Sequence, residues 1–213
     1  MGLTGTCGGA LEADWPFQVS VSAGGLRTDL VFGSLGQRLE EVSSAAAFSY
    51  RFASRWSVQA SLGVLISGSL DGQLGNYRLQ PGVLGSVSVG FTILDGVGPS
   101  PYLAVSFTVG VASASTYNEA NTNDRPQFTA LDVRLSAVIG KRLFGFWLPY
   151  AGAAVIGGPV FFAPAGQSMT GADQHHFRLS VGSSFSLPAH LEVFVEVGFL
   201  GEQNVLLGLG YAL

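Results

Sequence analysis

The chain has 213 residues, enough for one all-β domain; 47% are hydrophobic and only 11% charged. Soluble domains average about 25% charged residues, and a chain with one lysine, Lys141, cannot build the charged skin that solubility requires. A net charge of −4 argues against nucleic acid as a partner, and a single cysteine, Cys7, excludes an internal disulfide and a cysteine-based metal cluster.

Mean hydropathy is +0.39, yet Gly and Ser interrupt every hydrophobic stretch before it reaches the length of a transmembrane helix. A chain this apolar with no spanning helix has one way across a bilayer, a closed β-barrel. Met1-Gly2-Leu3-Thr4 has neither the basic nor the apolar region of an export signal, so the sequence reads as a trimmed chain or a mature one with an added Met1. Residues 1–14 read as a flexible tail and 15–213 as the barrel.

The first period-two run puts Trp15, Phe17, Val19, Val21 and Ala23 on one face and Gln18, Ser20 and Ser22 on the other. Similar runs follow at 41–52, 56–66, 83–93, 102–113 and 128–140, each with Val, Leu, Ile or Phe against Ser, Gly, Ala or Thr. The run at 146–156 is ambiguous, because Ala and Gly occupy both faces. Runs at 176–187, 191–199 and 204–213 complete the set. The expected fold is all-β: a closed antiparallel up-and-down transmembrane barrel of about ten strands, with eight or twelve as alternatives. Residues 24–40, 67–81, 114–126 and 157–175 read as long extracellular loops, and 53–55, 94–100, 141–145 and 188–190 as short periplasmic turns. Both termini then lie in the periplasm.

A soluble ligand-binding barrel alternates too, with its apolar face inside. Here the polar face is too poor in charge for bulk water and well sized for a narrow lumen, so the aliphatic face is assigned to lipid. Trp15, Phe17, Tyr50, Trp56, Trp147 and Tyr211 gather near the termini or the short turns and read as a periplasmic aromatic girdle. A thinner upper belt includes Phe128, Phe177 and Phe199. Pro159, Phe161, Phe162 and Pro164 make the fourth long loop apolar, so that it either folds over the barrel mouth or meets a partner.

The closing residues Gly208-Leu-Gly-Tyr211-Ala-Leu213 resemble the terminal β-signal of bacterial outer-membrane proteins, in which a Gly precedes an aromatic and a hydrophobic residue ends the chain. Gly208 and Tyr211 fit; Leu213 is hydrophobic but not aromatic, and Leu206 replaces the usual polar residue. With the barrel periodicity, the chain resembles the small Gram-negative outer-membrane barrels broadly, such as the OmpA-type and OmpW-type barrels. That resemblance implies residence in the outer membrane among its lipids and insertion by the barrel-assembly machinery.

Six charges fall on the lumen parity: Arg51, Asp132, Arg134, Arg178, Glu192 and Glu196. Ions in a narrow low-dielectric lumen are expected to pair, and Arg178 and Glu196 lie on neighbouring strands. Such a network either fills the barrel and fixes its register or forms a charged constriction. His176, Ser180, Glu192 and Glu196 offer a base, a nucleophile and acids in type, as in lipid A deacylases, but His176-Phe-Arg-Leu-Ser180 lacks that family's His-x-Ser spacing. His175 and His176 are adjacent in a strand and point apart, against a metal site. Asp29, Asp71, Glu119 and Asp124 show no calcium-loop spacing. Leu3-Thr-Gly-Thr6 before Cys7 is only a loose acylation motif. Gly208-Leu-Gly210 lies in a strand and supports no phosphate loop. No catalytic residues, metal or cofactor are assigned. The reading is a non-enzymatic outer-membrane barrel, a structural or interaction protein or a narrow pore; the alternatives are a lipid A-modifying hydrolase and a soluble ligand-binding barrel.

Overall fold

The computed structural model describes residues 16–96 and 98–213. Cys7, Trp15 and the tail read at 1–14 lie outside the described residues. Ten long antiparallel strands form the membrane body: β1 (Phe17–Phe32), β2 (Leu35–Arg51), β3 (Trp56–Gly72), β5 (Gly82–Asp95), β6 (Tyr102–Asn118), β7 (Gln127–Gly140), β8 (Trp147–Gly157), β11 (Phe177–Leu187), β12 (Leu191–Leu200) and β13 (Gln203–Ala212). Three short strands, β4 (Gly75–Leu79), β9 (Pro159–Phe162) and β10 (Met169–Asp173), lie above it. Neighbours in the chain pair around the body, and β13 returns to β1 in register from Gln18↔Ala212 to Arg27↔Gln203, closing a ring of ten. Closure leaves no unpaired edge inside the hydrocarbon, the condition for crossing it with strands.

Parity is kept around the body. Val21, Leu62, Val87, Leu135, Val181 and Leu207 stand on the outside, each 48–77% exposed, while Ser61, Thr108, Ser136, Ser180 and Ser184 are enclosed. The soluble-barrel alternative requires the reverse arrangement. An apolar band in contact with acyl chains and a polar interior is the pattern of a membrane barrel.

The stretches read as long loops are largely strand. β1 and β2 run on through residues 24–40 to a two-residue turn at 33–34, β3 and β4 take up most of 67–81, β9 and β10 take up about half of 157–175, and in 114–126 β6 runs on only to Asn118. Above the membrane these segments close a second, smaller ring: β1–β2–β3–β4–β6–β7–β9–β10 and back to β1. In this eight-stranded collar β4 takes the place of β5, while β9 and β10 together replace β8, β11, β12 and β13. The chain steps from β8 to β9 at Gly158, where φ is +146° and a Cβ would meet the Leu131 carbonyl. Only glycine fits that close approach.

The alternation reverses its chemistry at the collar. Outward positions now carry Arg27, Asp29, Arg38, Glu40 and Arg78, while inward ones carry Leu30, Phe32, Leu39, Leu70, Tyr77 and Phe162. Water has replaced lipid outside, so the apolar side chains turn in and pack as a core. Leu30, Leu39, Leu70 and Phe128 are fully buried there, and the Tyr77 ring meets Phe162 edge-on at 5.0 Å. Phe128 therefore belongs to this core and not to an upper aromatic belt. Phe177 and Phe199 are exposed. The apolar segment at 159–164 splits: Val160, Phe162 and Pro164 fill the mouth, while Phe161 faces out. Each fully buried Leu or Phe contributes about 1.5–3 kcal/mol, so the collar and its filling hold each other in place.

Candidate functional site

The lumen beneath this apolar filling is crossed by a chain of ion pairs. Arg134 on β7 donates to Asp132 two residues away (3.3 Å) and across the barrel to Glu202 (2.8 Å). Arg178 on β11 pairs with Glu196 on β12 and approaches Glu202 at 3.9 Å. The Tyr150 hydroxyl donates to the second oxygen of Glu196 at 3.2 Å. All of these side chains are at least nine-tenths buried. Arg is suited to such a role because its planar fork serves two carboxylates at once.

A second cluster lies nearer the periplasm. Gln18 Nε2 donates to Glu192 at 2.7 Å, and the Ser184 hydroxyl donates to the other Glu192 oxygen. Of the six charges on the lumen parity, the structure brings Asp132, Arg134, Arg178 and Glu196 together and places Glu192 apart from them; Arg51 is half-exposed at the end of β2. Glu202 was hidden from sequence reasoning because it sits in the connection at 200–203, where parity has no meaning. It turns inward after Gly201, whose φ is +71°. Glu41 was visible in principle, since it shares the inward parity of Ser43. Among the described residues the interior thus buries six carboxylates, Glu41, Asp132, Asp173, Glu192, Glu196 and Glu202, against two arginines.

Space in the lumen is shared between rings and glycines. The Tyr150 ring lies over Gly182, and the Phe194 ring over Gly208, so tightly that a Cβ at either glycine would strike the ring. Gly208, Tyr211 and Leu213 lie at the seam that closes the barrel: Tyr211 faces out opposite Val19 and Leu191, and the Leu213 amide donates to the Phe17 carbonyl at 2.8 Å. At the periplasmic end Phe17 stacks on Tyr50 at 4.7 Å, Trp56 lies against Phe91 at 4.8 Å, and Trp147 lies parallel to Phe185 at 6.3 Å while its indole donates to Ser183.

The residues considered for catalysis do not converge. His175 and His176 are exposed in the link between β10 and β11, whereas Ser180, Glu192 and Glu196 are enclosed. Strand parity does not extend to His176, because β11 begins only at Phe177. Among the described residues no group of three or more His, Cys, Asp or Glu is arranged to hold a metal ion.

No protein-family model matches the sequence, and no curated protein matches it. Solved structures do. The chain is similar to the outer-membrane protease OmpT from Escherichia coli, with 9% identity, TM-score 0.59, and coverage of 93% of this chain and 97% of that one. It is similar to the translocator domain of the autotransporter NalP from Neisseria meningitidis, with 12% identity, TM-score 0.56, and coverage of 93% and 88%. It is also similar to the outer-membrane protein OprG from Pseudomonas aeruginosa, with 9% identity, TM-score 0.52, and coverage of 96% and 98%. At such identities what is shared is the fold. The chain has the fold of the small Gram-negative outer-membrane β-barrels, and its continuous apolar outer band places it in the outer membrane, crossed by ten strands.

Proposed function

We propose that this is a closed, non-catalytic outer-membrane barrel, a structural or interaction protein whose ion-paired lumen braces the wall. The observation that carries the reading is the apolar core inside the collar, where Leu30, Phe32, Leu39, Leu70, Phe128 and Phe162 occupy the place a solute would have to pass. Below it the guanidiniums of Arg134 and Arg178 tie β7 and β11 to the β12–β13 hairpin. A wide aqueous channel would need both levels to be empty. The sheet edge offered by β13, with Gly208, Tyr211 and Leu213, is what the barrel-assembly machinery would read during insertion, and the outer-membrane lipids are its solvent afterwards.

Conductance in planar bilayers tests this. The wild-type protein is expected to be silent, and a stable single-channel opening would replace the closed barrel by a narrow pore. The hydrolase alternative predicts a changed lipid A profile on His176→Ala; a non-catalytic barrel shows none, because the imidazole is exposed while Ser180 is enclosed.

A further inference from the structure

A row of polar side chains crosses six strands on the outer surface at the base of the collar. Strand register aligns Gln203 on β13, Arg27 on β1, Glu40 on β2, Ser69 on β3, Arg78 on β4 and Tyr117 on β6, of which Ser69 is buried with its hydroxyl donating to Asp71 at 2.6 Å. Just below it, on the membrane side, lie Val197, Val205 and Val42, which belong to the apolar band. Between Val205 and Val42 the row is broken by Gly25, so the wall there has no outward side chain. These elements border a groove of about 980 Å³. It opens where the collar steps away from the top of β12 and β13.

The groove is amphiphilic along the membrane normal, with an apolar floor at the bilayer edge and two arginines above. Each arginine spends its Nε on a carboxylate, Arg27 on Glu40 at 3.5 Å and Arg78 on Glu119 at 2.6 Å. The carboxylates hold the guanidiniums in place, and the terminal nitrogens, half-exposed, are the part presented to a ligand. Arg27 and Arg78 stand three strands apart, about 14 Å at the usual strand spacing of about 4.8 Å. Phosphate is the anion whose geometry the guanidinium fork matches.

We propose that this groove is a binding site for a glycolipid of the outer leaflet that carries a phosphate at each end of its headgroup. One phosphate lies at Arg27 and Gln203, the other at Arg78 and Tyr117, and an acyl chain lies over Gly25 between Val42 and Val205. The proposal needs the membrane address but not the closed lumen, so a conducting barrel would leave it intact.

Native mass spectrometry of the full chain in detergent, titrated with bis-phosphorylated lipid A, tests it. Wild type is expected to retain one lipid. Arg27→Gln with Arg78→Gln is expected to weaken retention by roughly tenfold or more, the scale of losing charge-assisted phosphate contacts. Gly25→Phe fills the floor and leaves both charges; a Cβ there meets only the Glu41 carbonyl at 3.8 Å, so the wall accommodates the start of a side chain. It is expected to weaken retention as well. Mono-phosphorylated lipid A should bind more weakly than the bis-phosphorylated form, and inorganic phosphate should not displace it. Equal retention by the double arginine variant, indifference to Gly25→Phe, or equal binding of phosphatidylethanolamine would overturn the proposal. Heat-modifiable migration of each variant serves to show that it is folded.

Discussion

Glu196 is fully buried, shared between the guanidinium of Arg178 and the hydroxyl of Tyr150. A buried ion pair gains little over a well-packed apolar pair, but removing one partner strands the other charge. Glu196→Gln is therefore expected to destabilise the barrel by about 3–5 kcal/mol, and Arg178→Met with Glu196→Met by much less. Urea unfolding in micelles measures both, and a double variant worse than the single one would show that the pair contributes more than mutual neutralisation. The pair was legible from sequence because Arg178 and Glu196 share lumen parity on adjacent strands. Its third member, Glu202, was not, because a turn residue's direction follows from backbone torsion at Gly201 and not from alternation.

At the scale of elements, the collar is the part that sequence reasoning failed to find. The period-two runs of the body are apolar-out, whereas in β4 and the upper halves of β1 and β2 the alternation runs polar-out. The period is the same, but the solvent has changed, so segments such as Leu26–Phe32 looked like polar loops. The seam of the collar is the short β1–β10 ladder, and Asp173 sits on it, accepting from the Thr28 hydroxyl at 2.8 Å and the His175 amide at 2.9 Å. Burial pushes the Asp173 carboxyl above the usual aspartate range, and those two hydrogen bonds only partly offset it. A carboxyl whose folded pKa is raised favours the folded state below the ordinary aspartate range and loses that contribution as pH rises through the raised value. The seam is thus expected to open more readily near neutral pH than in mild acid. Hydrogen exchange at residues 28–31 and 170–174, corrected for intrinsic rates, reads this directly. Asp173→Asn should flatten the dependence; a dependence that survives the substitution would assign it elsewhere.

For the whole molecule, the change of chemistry along each strand fixes how deep the barrel sits. Leu62, 77% exposed near the middle of the apolar run of β3, faces the centre of the bilayer, whereas Val31 on β1 lies in the collar, outside it. Arginine at the bilayer centre of a barrel wall costs about 2–4 kcal/mol and near the interface about 0–1. Leu62→Arg should lose that much on unfolding from lipid vesicles, and Val31→Arg almost nothing. Equal costs would mean that the collar is also immersed.

The same vertical order bears on what would pass if the mouth were opened. An ion entering from outside meets the apolar core first and the carboxylate-rich level second. Leu39→Ala with Phe162→Ala removes two fully buried side chains from the core, each truncation costing about 2–5 kcal/mol. The body is held by its own closed ladders, so the loss falls mainly on the collar. Where the variant conducts, cations should be preferred, because beneath the core Asp132, Glu192, Glu196 and Glu202 outnumber the two buried arginines. The reversal potential in a potassium chloride gradient gives the sign. An anion-selective opening would mean that the arginines, not the acids, set the potential of the lumen.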